Sequence, residues 1–256
     1  MRIPAILLLG VSCTFGGLFD YLPAAGGGQV VRHFAYSLEF SVAHRDARWV
    51  AYLVSRDRVE TLSAERGNNF RTDPLVRRSA VPGDYTHSGY DRGHLCPAGD
   101  MRWDAAAMSE SFYMSNMTPQ APSFNRGCWK NLEELVRNWA VLFDTLYVVT
   151  GPMLRDGLPV TGDSVAVPVY FYKVVLKYDP PLVEAVGFIM KNEGSRLPLE
   201  NFAVAVDVVE QATGIDFFPA LPDSTEKKTE SSVDRAFWRL TPNPGPSPID
   251  GGREGF

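Results

Sequence analysis

Residues 90–100 read Tyr90-Asp91-Arg92-Gly93-His94-Leu95-Cys96-Pro97-Ala98-Gly99-Asp100. The run sets an aspartate, an arginine and a histidine side by side. Downstream come Ser115-Asn116-Met117-Thr118-Pro119-Gln120, then Phe124-Asn125-Arg126-Gly127-Cys128-Trp129, then Leu132-Glu133. Together these blocks hold a candidate base, a candidate oxygen ligand for a divalent cation, and cationic donors for anionic oxygens. Hydrolysis of a phosphodiester needs those three types of group.

Working outward, Trp129, Leu132, Val136, Trp139, Ala140 and Phe143 recur at three- and four-residue steps. That periodicity predicts an amphipathic helix over 126–143. A second helix is expected over 202–212, ended by Thr213-Gly214. Residues 48–54 read as a strand. The runs 144–150, 167–177 and 182–190 are rich in β-branched and aromatic residues. Gly151-Pro152 and Asp179-Pro180-Pro181 break the chain between them. The expected class is α+β, with a central antiparallel sheet flanked by helices. Residues 63–90 are polar and rich in turn formers, as in a surface excursion, and Glu226-Lys227-Lys228 reads as a charged surface loop.

The three motif blocks, in this order and spacing, resemble the signature of the DNA/RNA nonspecific endonuclease family. The resemblance extends from about Trp49 to about Leu221 and takes in Val149-Thr150-Gly151-Pro152, Tyr172-Lys173 and Thr213-Gly214-Ile215-Asp216-Phe217-Phe218. It implies a ββα-metal finger, with His94 on the first strand and Asn125 opening the helix. It implies that His94 activates water and that Asn125 is the direct protein ligand of a hydrated Mg²⁺, with Mn²⁺ as the alternative. Few protein ligands suit an ion that parts reluctantly with its waters. By the same resemblance Glu133 holds a metal-bound water, Arg92 contacts phosphate, Asn116 lies in the active site beside the histidine, and Arg71 is a second phosphate-binding arginine. The substrates implied are DNA and RNA, cut with little sequence preference to leave 5′-phosphates. A catalytically silent nucleic-acid-binding protein and a phosphodiesterase for a small substrate stand as alternatives on the same fold.

Other readings of these residues are plainer. An asparagine before a helix is commonly an N-cap. Glu133 could be a solvated carboxylate or pair with Arg137 at i,i+4. His33, His44 and His87 read as structural or surface residues. Cys96 and Cys128 stand within three residues of candidate catalytic groups, so a bulky thiol reagent is expected to inhibit if it reaches them.

Composition bounds the partners. A chain of 256 residues with 45% hydrophobic residues and a net charge of -5 can pack a core but is no histone-like polycation. A local basic groove and a bound cation can still hold phosphate. Three cysteines without zinc spacing argue against structural zinc and a disulfide scaffold. Arg2, the apolar run from Ile6 to Phe19 and the small residues Pro23-Ala24-Ala25 read as a signal peptide or anchor over 1–25. That reading places the protein outside the cytoplasm, secreted or periplasmic, and admits membrane anchoring. Residues 26–32 read as a linker, 33–241 as the enzymatic domain, and the Pro/Gly-rich stretch 242–256 as a flexible tail. The sequence leaves a homodimer open.

Overall fold

The computed structural model describes residues 21–240. Most of the expected leader, and the tail at 242–256, lie outside them. β1 (Gln29–Arg32), β2 (Tyr36–Ser41) and β3 (Asp46–Ser55) form a meander, followed by α1 (Arg56–Glu60). β4 (Asp91–His94), α2 (Ala105–Glu110), β5 (Met117–Gln120) and α3 (Lys130–Phe143) come next, before the chain returns through β6 (Thr145–Pro152). A small hairpin, β7 (Val160–Thr161) and β8 (Val165–Ala166), precedes β9 (Tyr170–Asp179), β10 (Leu182–Lys191) and β11 (Ala203–Val204). α4 (Val206–Thr213) and α5 (Asp223–Glu230) complete the described chain.

The expected α+β class and antiparallel sheet are present. Seven strands lie in the order β1-β2-β3-β6-β9-β10-β11, and each neighbouring pair is antiparallel. The central strands are apolar nearly throughout because helices cover both faces of the sheet. Val50, Tyr52, Val148 and Val175 pack with Trp129, Leu132, Val136 and Trp139 on the α3 side. Trp49, Ala51, Val149 and Val174 pack with Val206, Val209, Phe217 and Phe218 on the α4 side. Successive residues of a strand point to opposite faces, so a strand buried on both sides loses its polar alternation.

Several boundaries differ from the sequence reading. The stretch taken as a linker carries the edge strand β1, in register with β2 from Gln29↔Phe40 to Arg32↔Ser37. Gly26 and Gly28 donate their N–H groups to Glu39 Oε1 at 2.8 and 2.6 Å. Earlier still, Tyr21 packs against Tyr147 and Tyr178, with ring centroids 4.8 and 4.9 Å apart, and Ala24 N donates to Asp216 O at 2.8 Å. The folded domain therefore begins before 33, and a cut after Ala25 would remove packed residues. The second expected helix starts later than its apolar pattern suggested, since Ala203 and Val204 pair with β10 as an edge strand. It ends as expected at Gly214, whose φ of +67° only a residue without a Cβ adopts cheaply.

The charged stretch around Glu226 is helical rather than a loop. α5 has Asp223 and Glu226 in its first turn and Lys227 and Lys228 in its last, which complements the helix dipole. The polar excursion at 63–90 is tied to the body through Asp73, which is buried and takes hydrogen bonds from His33 Nε2 (2.9 Å) and Ser115 Oγ (2.5 Å). His33 is thus structural, as its isolation in the sequence suggested.

Candidate active site

β4 and β5 pair antiparallel from Asp91↔Gln120 to His94↔Met117, and α3 follows, which gives the ββα unit. Two strands this short do not hold together alone. Their anchors lie in the sheet. Thr118 Oγ1 donates to the buried Asp46 carboxylate on β3 at 2.6 Å. Asn192, after β10, donates to Pro119 O at 3.0 Å and accepts from Ala121 N at 2.8 Å. Phe124 stacks on Phe171 of β9 with centroids 5.2 Å apart. The glycine between Arg92 and His94 makes room for the Gln120 side chain. A Cβ on Gly93 would lie 2.2 Å from the Cδ of the buried Gln120 across the ladder.

The residues 126–143 do not form one uniform helix. The chain kinks within Phe124–Trp129 at Gly127, which lies outside helical dihedrals (φ −111°, ψ −113°), and the regular helix starts at Lys130. The kinked segment carries Asn125 into a cleft of about 500 Å³, whose walls include Arg66, Arg92, His94, Lys130 and Glu133.

His94 stands at the cleft with Phe112 edge-on at 4.9 Å and Phe70 at 5.8 Å. Its Nε2 has no hydrogen-bond partner. Burial, aided by the positive charge of Arg66, lowers its pKa to about 3. The imidazole is therefore neutral at physiological pH, with a lone pair available to accept a proton.

Asn125 donates through Nδ2 to Asp91 Oδ2 at 2.8 Å. The same carboxylate receives Arg126 Nε at 2.8 Å and Arg126 Nη2 at 2.5 Å. Burial alone would raise the Asp91 pKa, but the hydrogen bonds from Arg126 and Asn125, with the Arg126 charge, outweigh it and hold Asp91 ionised. The amide is thus oriented by a fixed acceptor, which leaves Oδ1 as the atom free for a ligand. Asn125 does not act as a helix N-cap here, because it lies inside the segment Phe124–Trp129 that Ser123 precedes, and the regular helix is entered from Trp129.

Glu133 neither solvates freely nor pairs with Arg137, which instead donates to Asp100 Oδ1 at 2.7 Å. Behind Glu133 lies Lys173, fully buried on the α3 face of β9, with Nζ 3.2 Å from the Tyr52 hydroxyl and 4.8 Å from the Trp129 ring centre. Burial pushes the Glu133 carboxyl upward, and Asp100 adds to this, against the opposing charges of Lys173, Arg137 and Arg66. Burial pulls Lys173 down, while Glu133 and Asp100 support its charge. The floor of the cleft is a compensated cluster of two carboxylates and two cations.

The remaining expected residues divide. Arg92 lines the cleft, donates to Pro82 O at 3.0 Å, lies over the Phe70 ring at 5.0 Å, and keeps a buried Nε without a partner. Arg71 is elsewhere. Its guanidinium is spent on Ser109 O (2.7 Å), Ser109 Oγ (3.1 Å) and Asn69 O (3.1 Å), and it lies over Tyr113. Arg66 takes the place in the cleft expected of Arg71. Nothing marks Arg66 in sequence, since it lies in a polar stretch without a motif. Asn116 is wholly buried, bonded to Cys96 N (2.8 Å), Cys96 O (2.9 Å) and Ser111 O (2.8 Å). It clamps the backbone just beyond His94 rather than facing the cleft. Cys96 and Cys128 are free thiols but buried in the core, so adjacency in sequence did not translate into access for a thiol reagent.

The family model described as DNA/RNA non-specific endonuclease matches residues 19–224. The mitochondrial nuclease EXOG of Danio rerio is 36% identical over 202 residues, covering 72% of this chain and 59% of that protein. Human mitochondrial endonuclease G is 33% identical, covering 76% of this chain and 71% of that one. Nuclease C1 of Cunninghamella echinulata is 37% identical, covering 75% of this chain and 83% of its own. A solved structure of an EndoG/EndoGI complex, concerned with EndoG inhibition, matches with a TM-score of 0.75 at 30% identity over 81% of this chain and 92% of that one. The chain spans less than two thirds of the zebrafish relative's length. The relatives also overturn the expected secretion, because several similar over most of this chain are named mitochondrial nucleases. Among the described residues no helix is long and apolar enough to cross a membrane. Motif blocks, ββα geometry and a match over most of the sequence agree that this chain belongs to the DNA/RNA non-specific endonuclease family.

Proposed function

We propose that this protein is a metal-dependent endonuclease that hydrolyses DNA and RNA with little sequence preference. The observation that carries this reading is the convergence of a neutral His94 and an Asp91-oriented Asn125 on one cleft walled by cationic side chains. The donor set fits Mg²⁺, with Mn²⁺ as the alternative: one free amide oxygen on Asn125, with Glu133 placed to hold a bound water, leaves most of the coordination sphere to water. When bound, the cation supplies charge stabilisation to the phosphoryl oxygens and the leaving 3′ oxygen. His94 takes the proton of the attacking water onto its imidazole. Arg92 and Arg66 hold the non-bridging oxygens, and Lys130 and Arg126 at the rim attract the backbone. Asp91 fixes the Asn125 amide, Asn116 fixes the backbone after His94, and Lys173 offsets the carboxylates beneath the site. Attack by water with departure of the 3′ oxygen gives 5′-phosphate ends.

All these contacts address phosphate, which positions a nucleic acid without reporting its sequence. The 2′-hydroxyl takes no part, so the chemistry excludes neither sugar. Parallel digestion of duplex DNA, single-stranded DNA and RNA of matched random sequence, followed by sequencing of the ends, tests this. All three should be cut, with 5′-phosphates and no sharp consensus. Cleavage should weaken steeply as salt rises, because phosphate contacts release counterions. Inertness toward either DNA or RNA, or a defined recognition sequence, contradicts the reading.

A further inference from the structure

On the α4 side of the sheet, away from the catalytic cleft, three carboxylates converge. Asp207 and Glu210 stand three residues apart on one face of α4, and Glu230 closes the end of α5. One oxygen from each lies within 4.8 Å of the others. Glu210 also accepts the Phe217 N–H at 2.9 Å through Oε1, which fixes its side chain. Glu230 is only 3% exposed, and its Oε1 has no hydrogen-bond partner. A buried carboxylate normally finds a donor or a counter-charge, since an unpaired one is costly. Here the charges acting on it come from Glu210, Glu226, Asp207 and Asp216, all carboxylates. The arrangement lacks a positive partner where one is most needed.

We propose that Asp207, Glu210 and Glu230 form a second divalent-cation site, one that takes Ca²⁺. The site is structural: the ion cross-links α4 to the end of α5. Ca²⁺ fits better than Mg²⁺ for two reasons. Its sphere, with oxygens at roughly 2.3–2.6 Å, is about 5 Å across and accommodates the observed spread of donors. It also accepts several carboxylates in irregular geometry, whereas Mg²⁺ keeps its waters. Asp207 is on the exposed side of the cluster, which gives an ion a path from solvent. The site does not depend on the catalytic reading, because none of its ligands lines the cleft.

Calorimetric titration of the full chain with CaCl₂ alone, beside Glu230→Gln, tests the proposal, and any Ca²⁺ bound at the catalytic cleft is common to both proteins. The wild type should bind one more Ca²⁺ than the variant, and Mg²⁺ should bind this site at least tenfold more weakly. Saturating Ca²⁺ should raise the wild-type Tm by roughly 5 °C. In EDTA the Glu230→Gln protein should melt no lower than the wild type, because the repulsion is gone, and Ca²⁺ should give no such rise. Asp207→Asn, a change on the exposed side, should weaken Ca²⁺ binding at least tenfold and decides the matter if Glu230→Gln fails to fold. Equal Ca²⁺ uptake by wild type and variants, or no Ca²⁺-dependent change in wild-type Tm, overturns the site.

Discussion

His94→Ala lowers kcat by roughly 10²–10⁴-fold or more, the usual range for loss of a general base, while the fold and the affinity for DNA persist. The reason lies in the surroundings of the ring. No other side chain in the cleft is a neutral base: Arg66, Arg92, Arg126, Lys130 and Arg137 are cations, and Glu133 is committed to the cluster with Lys173. His94→Gln serves as a near-isosteric control, since alanine also leaves a hole between Phe70 and Phe112. A folded alanine variant that keeps more than a tenth of wild-type activity removes His94 from the mechanism. The same environment sets the pH behaviour. Burial and Arg66 hold the folded pKa at about 3 rather than 6.5, so kcat/KM should show no acid limb centred near 6.5. For stability the sign follows from linkage. Between pH 6.5 and about 3 the unfolded chain binds the extra proton, so the His94 contribution is fully present above 6.5 and is lost as pH falls through that window. His94→Gln should flatten the corresponding part of the curve of stability against pH.

Asn125 gives the second large effect. Removing the amide oxygen in Asn125→Ala should raise the half-saturating Mg²⁺ concentration at least tenfold and cut activity by about 10²-fold. If an oxygen ligand were all that mattered, Asn125→Asp would keep much of the activity. The structure argues otherwise, because the new carboxylate would face Asp91 at the 2.8 Å now spanned by an amide hydrogen bond. Two carboxylates that close share a proton rather than both ionise. Asn125→Asp alone should therefore be poor, and the exchange Asn125→Asp with Asp91→Asn should recover activity to within about tenfold of wild type. An unchanged half-saturating Mg²⁺ concentration in Asn125→Ala rules out the ligand role, and a swap no better than Asn125→Asp rules out Asp91 as its orienting partner.

The long strands and α3 were legible because burial leaves a periodic trace: Trp129, Leu132, Val136 and Trp139 meet the sheet as their spacing required. The motif blocks likewise pointed to His94, Arg92, Asn125 and Glu133, which line one cleft. What sequence could not supply is contact between distant segments. Arg66 reaches the cleft from a loop with no pattern of its own, while Arg71, in a more suggestive context, turns away to Ser109. Lys173 reads as one charge in an apolar strand, and only the pairing of β9 puts it beneath Glu133 and Asp100. β1 was missed because a glycine-rich entry hides a short edge strand, whose pairing depends on β2 rather than on local propensity. Asp91 was visible in the motif, but its service to Asn125 appears only once the kinked segment before α3 folds back onto β4.

The most direct test of the central claim is plasmid cleavage by the full chain, in Mg²⁺ and in EDTA, with His94→Ala run in parallel. The account predicts nicking and then fragmentation by the wild type in Mg²⁺, none in EDTA, restoration when Mg²⁺ is returned in excess, and near silence from the variant. Cleavage that continues undiminished in EDTA, or that His94→Ala performs as well as the wild type, would contradict it.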